Sequence, residues 1–245
     1  MYFDLQKASM LKRCSAWLLD AIVFSIIAVG FGWLVSTVIG YDEQYNRLDS
    51  CYQAYEKEYG LKLTVSAEEY AEMSEEVQAS YQRMFEQMNQ DAGLSHQYAY
   101  VMNLTLLILS VSFLLAFLVT GILIPLVLRD GQTIGKKIFG LCLMQTDHTK
   151  LRTVSLVIRV ILGKYAIETM VPAYLILMIF FQMIGRFGTI TMMLLIILQM
   201  VLLFFTKANQ ALHDLLAGTV VVDAKSQMIF ESREAMAEFK KQNEK

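Results

Sequence analysis

The sequence predicts an all-α membrane protein: a four-transmembrane-helix bundle with an extracytoplasmic helical hairpin between spans 1 and 2. Three observations predict it. The 245 residues are 56% hydrophobic and only 18% charged, against roughly 45–50% and 25% in soluble domains; mean hydropathy is +0.44. Four apolar runs approach the ~20 residues a helix needs to cross a bilayer. The charges, −2 in sum, are gathered between the runs rather than spread through them.

The first run, Trp17–Ile39, holds one ionisable residue, Asp20. The second extends from Val101 to Leu128, the third from Ile167 to Ile184 and the fourth from Thr189 to Phe205. Gly185, Arg186, Phe187 and Gly188 between the last two read as a tight turn, making a transmembrane hairpin. The apolar stretch Val154–Gly163 is followed by Lys164 and broken by Arg159, which predicts a helix lying in the interface. The expected organisation is therefore 1–40 (tail and span 1), 41–100 (acidic hairpin), 101–128 (span 2), 129–164 (basic loop and interfacial helix), 165–206 (spans 3 and 4) and 207–245 (C-terminal tail).

Orientation follows from Lys and Arg. With four spans, only Arg47, Lys57, Lys62, Arg83 and Arg186 of the 21 fall on one side. The positive-inside rule then puts both termini in the cytoplasm. The first run is too long for a cleaved signal and lacks a small-residue cleavage pattern, so an anchor is expected. With no transit-peptide composition, the expected location is a bacterial cell membrane, crossed several times.

Residues 41–100 carry twelve Asp/Glu against four Lys/Arg. Tyr45, Leu48, Tyr52, Tyr55 and Tyr59 recur at helical spacing, and Gly60 suits a helix stop. Ser66 and Glu69 have the spacing of a capping box. Behind them Tyr70, Met73, Val77, Tyr81, Met84 and Met88 line a second helix. Each seam is expected to cover the other, since helices of this length bury a stripe by default. The functional alternative is a protein-binding or cation-attracting surface.

Motif chemistry is sparse. Cys14, Cys51 and Cys142 form no CxxC and fall on both sides, so no disulfide framework is expected. His96, His148 and His213 have no metal-ligand spacing, and "GQTIGKK" (Gly131 to Lys137) misses the phosphate-loop pattern by one residue between its glycines and by Lys137 where Ser or Thr belongs. No nucleophile–base arrangement is legible. No enzyme, cofactor, metal or nucleic-acid partner is expected.

The remaining candidates are polar groups at span boundaries. Asp20 costs about 2.5–3.5 kcal/mol at bilayer depth on insertion scales. Arg13 and Asp20 are seven residues apart on one helix face, about 10.5 Å along the axis, too far for an easy direct pair. Each is expected to find a partner elsewhere: Asp214 of "NQALHDLLAGTVVVDA" for Arg13, and a basic group of "GQTIGKK" for Asp20. His213 lies beside Asp214. Glu168, four residues after Lys164, reads as a boundary ion pair. Pro125 and Pro172 each interrupt a helical hydrogen-bond ladder.

Three stretches carry a resemblance. "LKRCSAWLLDAIV" (Leu11 to Val23), "DGQTIGKKIFGLCLMQTD" (Asp130 to Asp147) and "LHDLLAGTVVVD" (Leu212 to Asp223) resemble, in order, the three signatures of the RDD family of bacterial integral membrane proteins. They cover the transmembrane core and leave 41–100 as an insertion. "TDHTKLR" departs from the pattern by lacking the glycine of its turn. The resemblance implies that the arginine and two aspartates naming the family are Arg13, Asp20 and Asp214. It also implies a transport role, sodium/proton exchange having been suggested for some members. On this reading Arg13, Asp20 and Asp214 form an ion path, with Thr133, Gly135 and Lys136 at its mouth and His213 and Glu168 in support. The other reading is a scaffold or accessory subunit with a structural triad. The expected partners are the lipid bilayer, a second copy of the chain, and a protein at the exterior hairpin.

Overall fold

The structure, a computed structural model, describes residues 8–180, 185–205 and 209–243. It is mostly helical and divides into two compact units: Gly32–Ser112, and the flanking segments Met1–Phe31 with Phe113–Lys245. Helix α1 spans Met10–Ile39. It is followed by α2 (Tyr41–Tyr59), α3 (Ala67–Glu72), α4 (Glu75–Gln90) and α5 (Ala92–Phe117). A π-helical stretch, π1 (Leu118–Leu123), joins α5 to α6 (Ile124–Leu128). Then come α7 (Ile134–Ile138), β1 (Leu141–Gln145), α8 (Thr153–Val157), π2 (Ile158–Met170) and α9 (Val171–Phe180). The chain ends with α10 (Gly185–Phe205), α11 (Leu212–Ala217), β2 (Thr219–Asp223) and α12 (Arg233–Asn243).

Among the described residues, three helices are long and apolar enough to cross a membrane: Met10–Ile39, Ala92–Leu128 and Gly185–Leu202. Their outward residues are those a lipid-facing surface needs: Ile22, Ile26, Val29 and Trp33 of α1 are each more than half exposed. The third expected span is represented by α9, only ten residues long; its last residues, 181–184, lie outside those described. The expected turn at Gly185–Gly188 is corrected, because these residues form the first turn of α10.

The expected separate interfacial helix is also corrected. Residues 153–180 run helically through α8, π2 and α9 without a break. Arg159 is 2% exposed whereas Val154 is 69% exposed, so the helix hides its charge and shows its apolar side. Both π stretches end two residues before a proline, π1 before Pro125 and π2 before Pro172. Proline has no N–H to give and its ring clashes with the carbonyl four residues back. Widening the turn to i→i+5 is a local accommodation of that clash.

The all-α expectation misses a small sheet. β1 and β2 pair antiparallel, from Leu141 opposite Asp223 to Gln145 opposite Thr219. Both faces are buried: Leu141, Leu143 and Val221 join Leu156 and Val160 in one cluster, while Cys142, Met144, Val220 and Val222 form another. Strands buried on both faces read as continuous apolar runs without alternation, and five residues is too short to stand out. The segment expected as a simple C-terminal tail thus folds back to complete this sheet. The turn after β1 is built without glycine, with His148 at φ 63°.

Within the unit Gly32–Ser112 the capping box is present. Ser66 Oγ accepts the Glu69 N–H at 3.1 Å, and Glu69 Oε2 accepts the Ser66 N–H at 2.9 Å. α2 ends at Gly60. The second expected helix is divided into α3 and α4 at Met73–Ser74. The seams do not simply cover each other: Leu48 packs with Leu94 and Val101 of α5, beside Tyr52, Tyr55 and Met88. Tyr55 donates to Asp91 Oδ2 at 2.8 Å and Tyr81 to the Lys62 carbonyl at 2.9 Å. α5 starts at Ala92, so no boundary falls at residue 101.

Candidate functional site

The three signature stretches meet at one place. α7 begins with Thr133 as its N-cap, and an adjoining turn holds Arg129, Asp130 and Gly131 at φ 64°, 48° and 62°. This brings the start of α7 against α1. Asp20 Oδ2 accepts the Thr133 hydroxyl at 2.5 Å and Oδ1 accepts the Gly135 N–H at 2.8 Å. The direct partners of Asp20 are thus two neutral donors, while the expected basic group, Lys136, makes no ion pair with it yet stands near enough to feel its charge. Hydrogen bonds to a charged group contribute about 1.5–3 kcal/mol each, enough to offset the roughly 2.5–3.5 kcal/mol of placing a carboxylate at depth. The approach depends on Gly135. A Cβ there would lie 2.2 Å from the Ala16 carbonyl oxygen.

Asp214 sits at the third position of α11 and is fully buried. Its Oδ1 pairs with Arg159 Nη1 and accepts the Thr219 hydroxyl at 3.2 Å. Its Oδ2 accepts the Ala211 N–H at 3.2 Å and lies 3.8 Å from Arg13 Nη2. Arg13 also donates to the Asn209 carbonyl at 2.5 Å, and Arg159 to the Thr219 hydroxyl at 2.7 Å. Burial alone would raise the Asp214 carboxyl, but the charges of Arg159 and Arg13 and the Ala211 N–H hold it well below the usual range. Asp214 is thus a closed anion between two guanidinium groups.

Glu168 grips His213 twice. Oε1 accepts its backbone N–H at 3.0 Å, and Oε2 lies 2.7 Å from Nδ1. The expected pairing of Glu168 with Lys164 is corrected accordingly. The carboxylate fixes the proton on Nδ1, and Nε2 points toward Asp214 Oδ2 at 3.7 Å. Burial, reinforced by the Arg159 charge, pulls the imidazole down to about 4. α11 reaches this position because Gly163 of π2 has no side chain; a Cβ there would lie 2.5 Å from the His213 Cβ.

A cavity of about 580 Å³ opens between these groups, within the range of small-ligand sites. Arg13, Asp20, Lys136, Arg159, Glu168 and His213 all line it, and so does Lys164. The Thr133 and Gly135 contacts hold Asp20 at its wall, whereas Asp214 lies behind the two arginines. Lys136 is 8% exposed. Burial and the neighbouring Lys164 and Arg159 charges push its ammonium well below its ordinary value. Among the described residues, no group of three or more His, Cys, Asp or Glu side chains is placed to hold a metal ion.

Two contributors escape the sequence reading: Arg159 and Thr219. A lone arginine inside "SLVIRVILG" was the available signal for the first. Thr219 carried none, because its role depends on β2 pairing beside α11.

The sequence model of the RDD family matches residues 7–218. The chain belongs to the RDD family. The match runs from before the first signature to the β2 edge and includes the residues of the Gly32–Ser112 unit. RDD proteins are membrane proteins, in keeping with the three long apolar helices of this one. No curated protein and no solved structure matches the chain. In this RDD protein the arginine and two aspartates do not form one cluster. Arg13 and Asp214 approach each other, and Asp20 is engaged separately by the second signature.

Proposed function

We propose that this RDD protein is a small transporter that moves protons, and whatever is coupled to them, through the polar cavity. The observation that carries the reading is the state of Asp20. Its carboxylate lines an open cavity and is held by a hydroxyl and an amide, with no ion pair to a cation among the described residues. Intramembrane carboxylates in such settings are proton or ion sites by default. Glu168 and His213 supply a second exchangeable pair on the same wall. A proton fits better than a metal cation, because four cationic side chains but only two carboxylates line the space.

On this reading the protein is multi-pass in a cell membrane with both termini cytoplasmic, supported by the placement of Lys and Arg. The fourth crossing is the third span expected from the sequence, to which α9 belongs. Four spans are few for one ion path, so a homo-oligomer is the working unit. The test is proton flux into proteoliposomes, wild type against Asp20→Asn. An asparagine keeps the hydrogen-bonding shape against Thr133 and Gly135 while removing the charge.

The closed state of Asp214 favours a second reading for that residue: a structural lock, as in a membrane scaffold. A protein that carries no flux and purifies with a fixed partner bound to the acidic 41–100 segment fits that class instead.

A further inference from the structure

We propose that the cavity binds a phosphate group, with the ammonium groups of Lys136 and Lys164 as its charge partners. The inference rests on the cavity being the solute-handling site. The argument is an allotment of charges. Six charged side chains line the cavity: Arg13, Lys136, Arg159 and Lys164 against Asp20 and Glu168. Both arginines are engaged by Asp214. Asp20 is engaged by Thr133 and Gly135, and Glu168 by the backbone N–H and the Nδ1 of His213. Neither lysine ammonium has a hydrogen-bond or ion-pair partner among the described residues.

Two neighbouring cations facing one cavity are costly. A buried charge persists only when paired or when it gives up its proton. The depressed proton affinity of Lys136 is the signature of that cost. An anion between the two ammonium groups would reverse it. A phosphate monoester carries about −1.5 to −2 charge at neutral pH, which matches two ammonium groups; a single carboxylate would leave one of them unmatched. A phosphate also offers several acceptor oxygens to lysines acting as point charges. The group comes either from free inorganic phosphate or from the monoester headgroup of a lipid such as phosphatidic acid, and both present the same chemistry to the site.

The experiment uses the purified full-length protein in detergent. Thermal melting and calorimetric titration are run with inorganic phosphate and with short-chain phosphatidic acid, on wild type, Lys136→Met, Lys164→Met and the double variant. At least one ligand is expected to raise the wild-type melting temperature. Each single variant should weaken that binding tenfold or more, and the double variant should abolish it. A response to inorganic phosphate assigns a soluble anion; a response to the lipid alone assigns a headgroup. Ligand-free Lys136→Met should melt no lower than wild type, because the ammonium has no partner to lose. The proposal is overturned if neither ligand binds, if the double variant binds as wild type does, or if ligand-free Lys136→Met melts well below wild type. Phosphate binding without proton flux keeps this site and removes the transport reading; flux without phosphate binding does the reverse.

Discussion

The Asp20 carboxylate accepts the backbone N–H of Gly135 at 2.8 Å, across 115 residues of chain. The contact exists because α7 can press against α1 where Gly135 faces the Ala16 carbonyl. One glycine therefore controls both a packing distance and the hydrogen bonding of an acidic group.

Gly135→Ala is expected to destabilise the protein. The added methyl would lie 2.2 Å from a backbone oxygen that has no rotamer to escape by. Overpacking costs about 1–3 kcal/mol, and loss of the bond to Asp20 adds about 1.5–3 kcal/mol. Thermal melting in detergent should show a clear fall, whereas Gly140→Ala, where a Cβ meets nothing within 4 Å, tests only the left-handed backbone at that position and should fall less.

The Asp214 lock predicts an order of severity. Arg159 is 3% exposed at its side chain and pairs closely with Asp214, while Arg13 is 12% exposed and stands 3.8 Å away. Removing one partner of a buried pair costs about 3–5 kcal/mol. Arg159→Ala should reach that range, and Arg13→Ala should cost less. The check is a double-mutant cycle with Asp214→Asn: coupling should be larger for Arg159 than for Arg13.

Much of this was legible in the sequence and some was not. Long apolar runs announced α1, α5 and α10 because hydropathy is a local quantity. The Ser66–Glu69 box was legible because capping acts over three residues. The sequence pairs Arg13 with Asp214, but the stronger partner, Arg159, shows in it only as a break in an apolar stretch. Its burial depends on α11 docking along π2 through Gly163, a contact between segments fifty residues apart. The sheet was hidden for a related reason. "LCLMQ" and "TVVVD" are covered on both faces, so no period-two pattern marks them.

Acid should weaken the protein through His213. Its imidazole is pulled down to about 4 by burial, with Arg159 and Lys164 adding repulsion and Asp214 and Glu168 opposing the shift. The neutral form is thus favoured in the fold, and the unfolded chain binds the proton first. Stability from this residue is complete above about pH 6.5 and is lost as pH falls toward 4. Melting temperatures from pH 7.5 to 4.5 should fall for wild type, and the slope should be shallower in His213→Gln.

Ser66→Ala should cost about 1 kcal/mol, the usual worth of an N-cap hydroxyl, and it removes half of the reciprocal box. Because Ser66 belongs to the unit Gly32–Ser112, the change should leave proton flux and phosphate binding as in wild type. Circular dichroism melts alongside flux would check both parts.

The measurement that bears most directly on the account is proton entry into sealed proteoliposomes under an imposed pH gradient, followed with an internal pH-sensitive dye. Wild type should acidify the lumen faster than empty vesicles. Asp20→Asn, folded and eluting as wild type does, should fall to the empty-vesicle rate. Equal rates for wild type and Asp20→Asn, or no wild-type flux above empty vesicles, would contradict it.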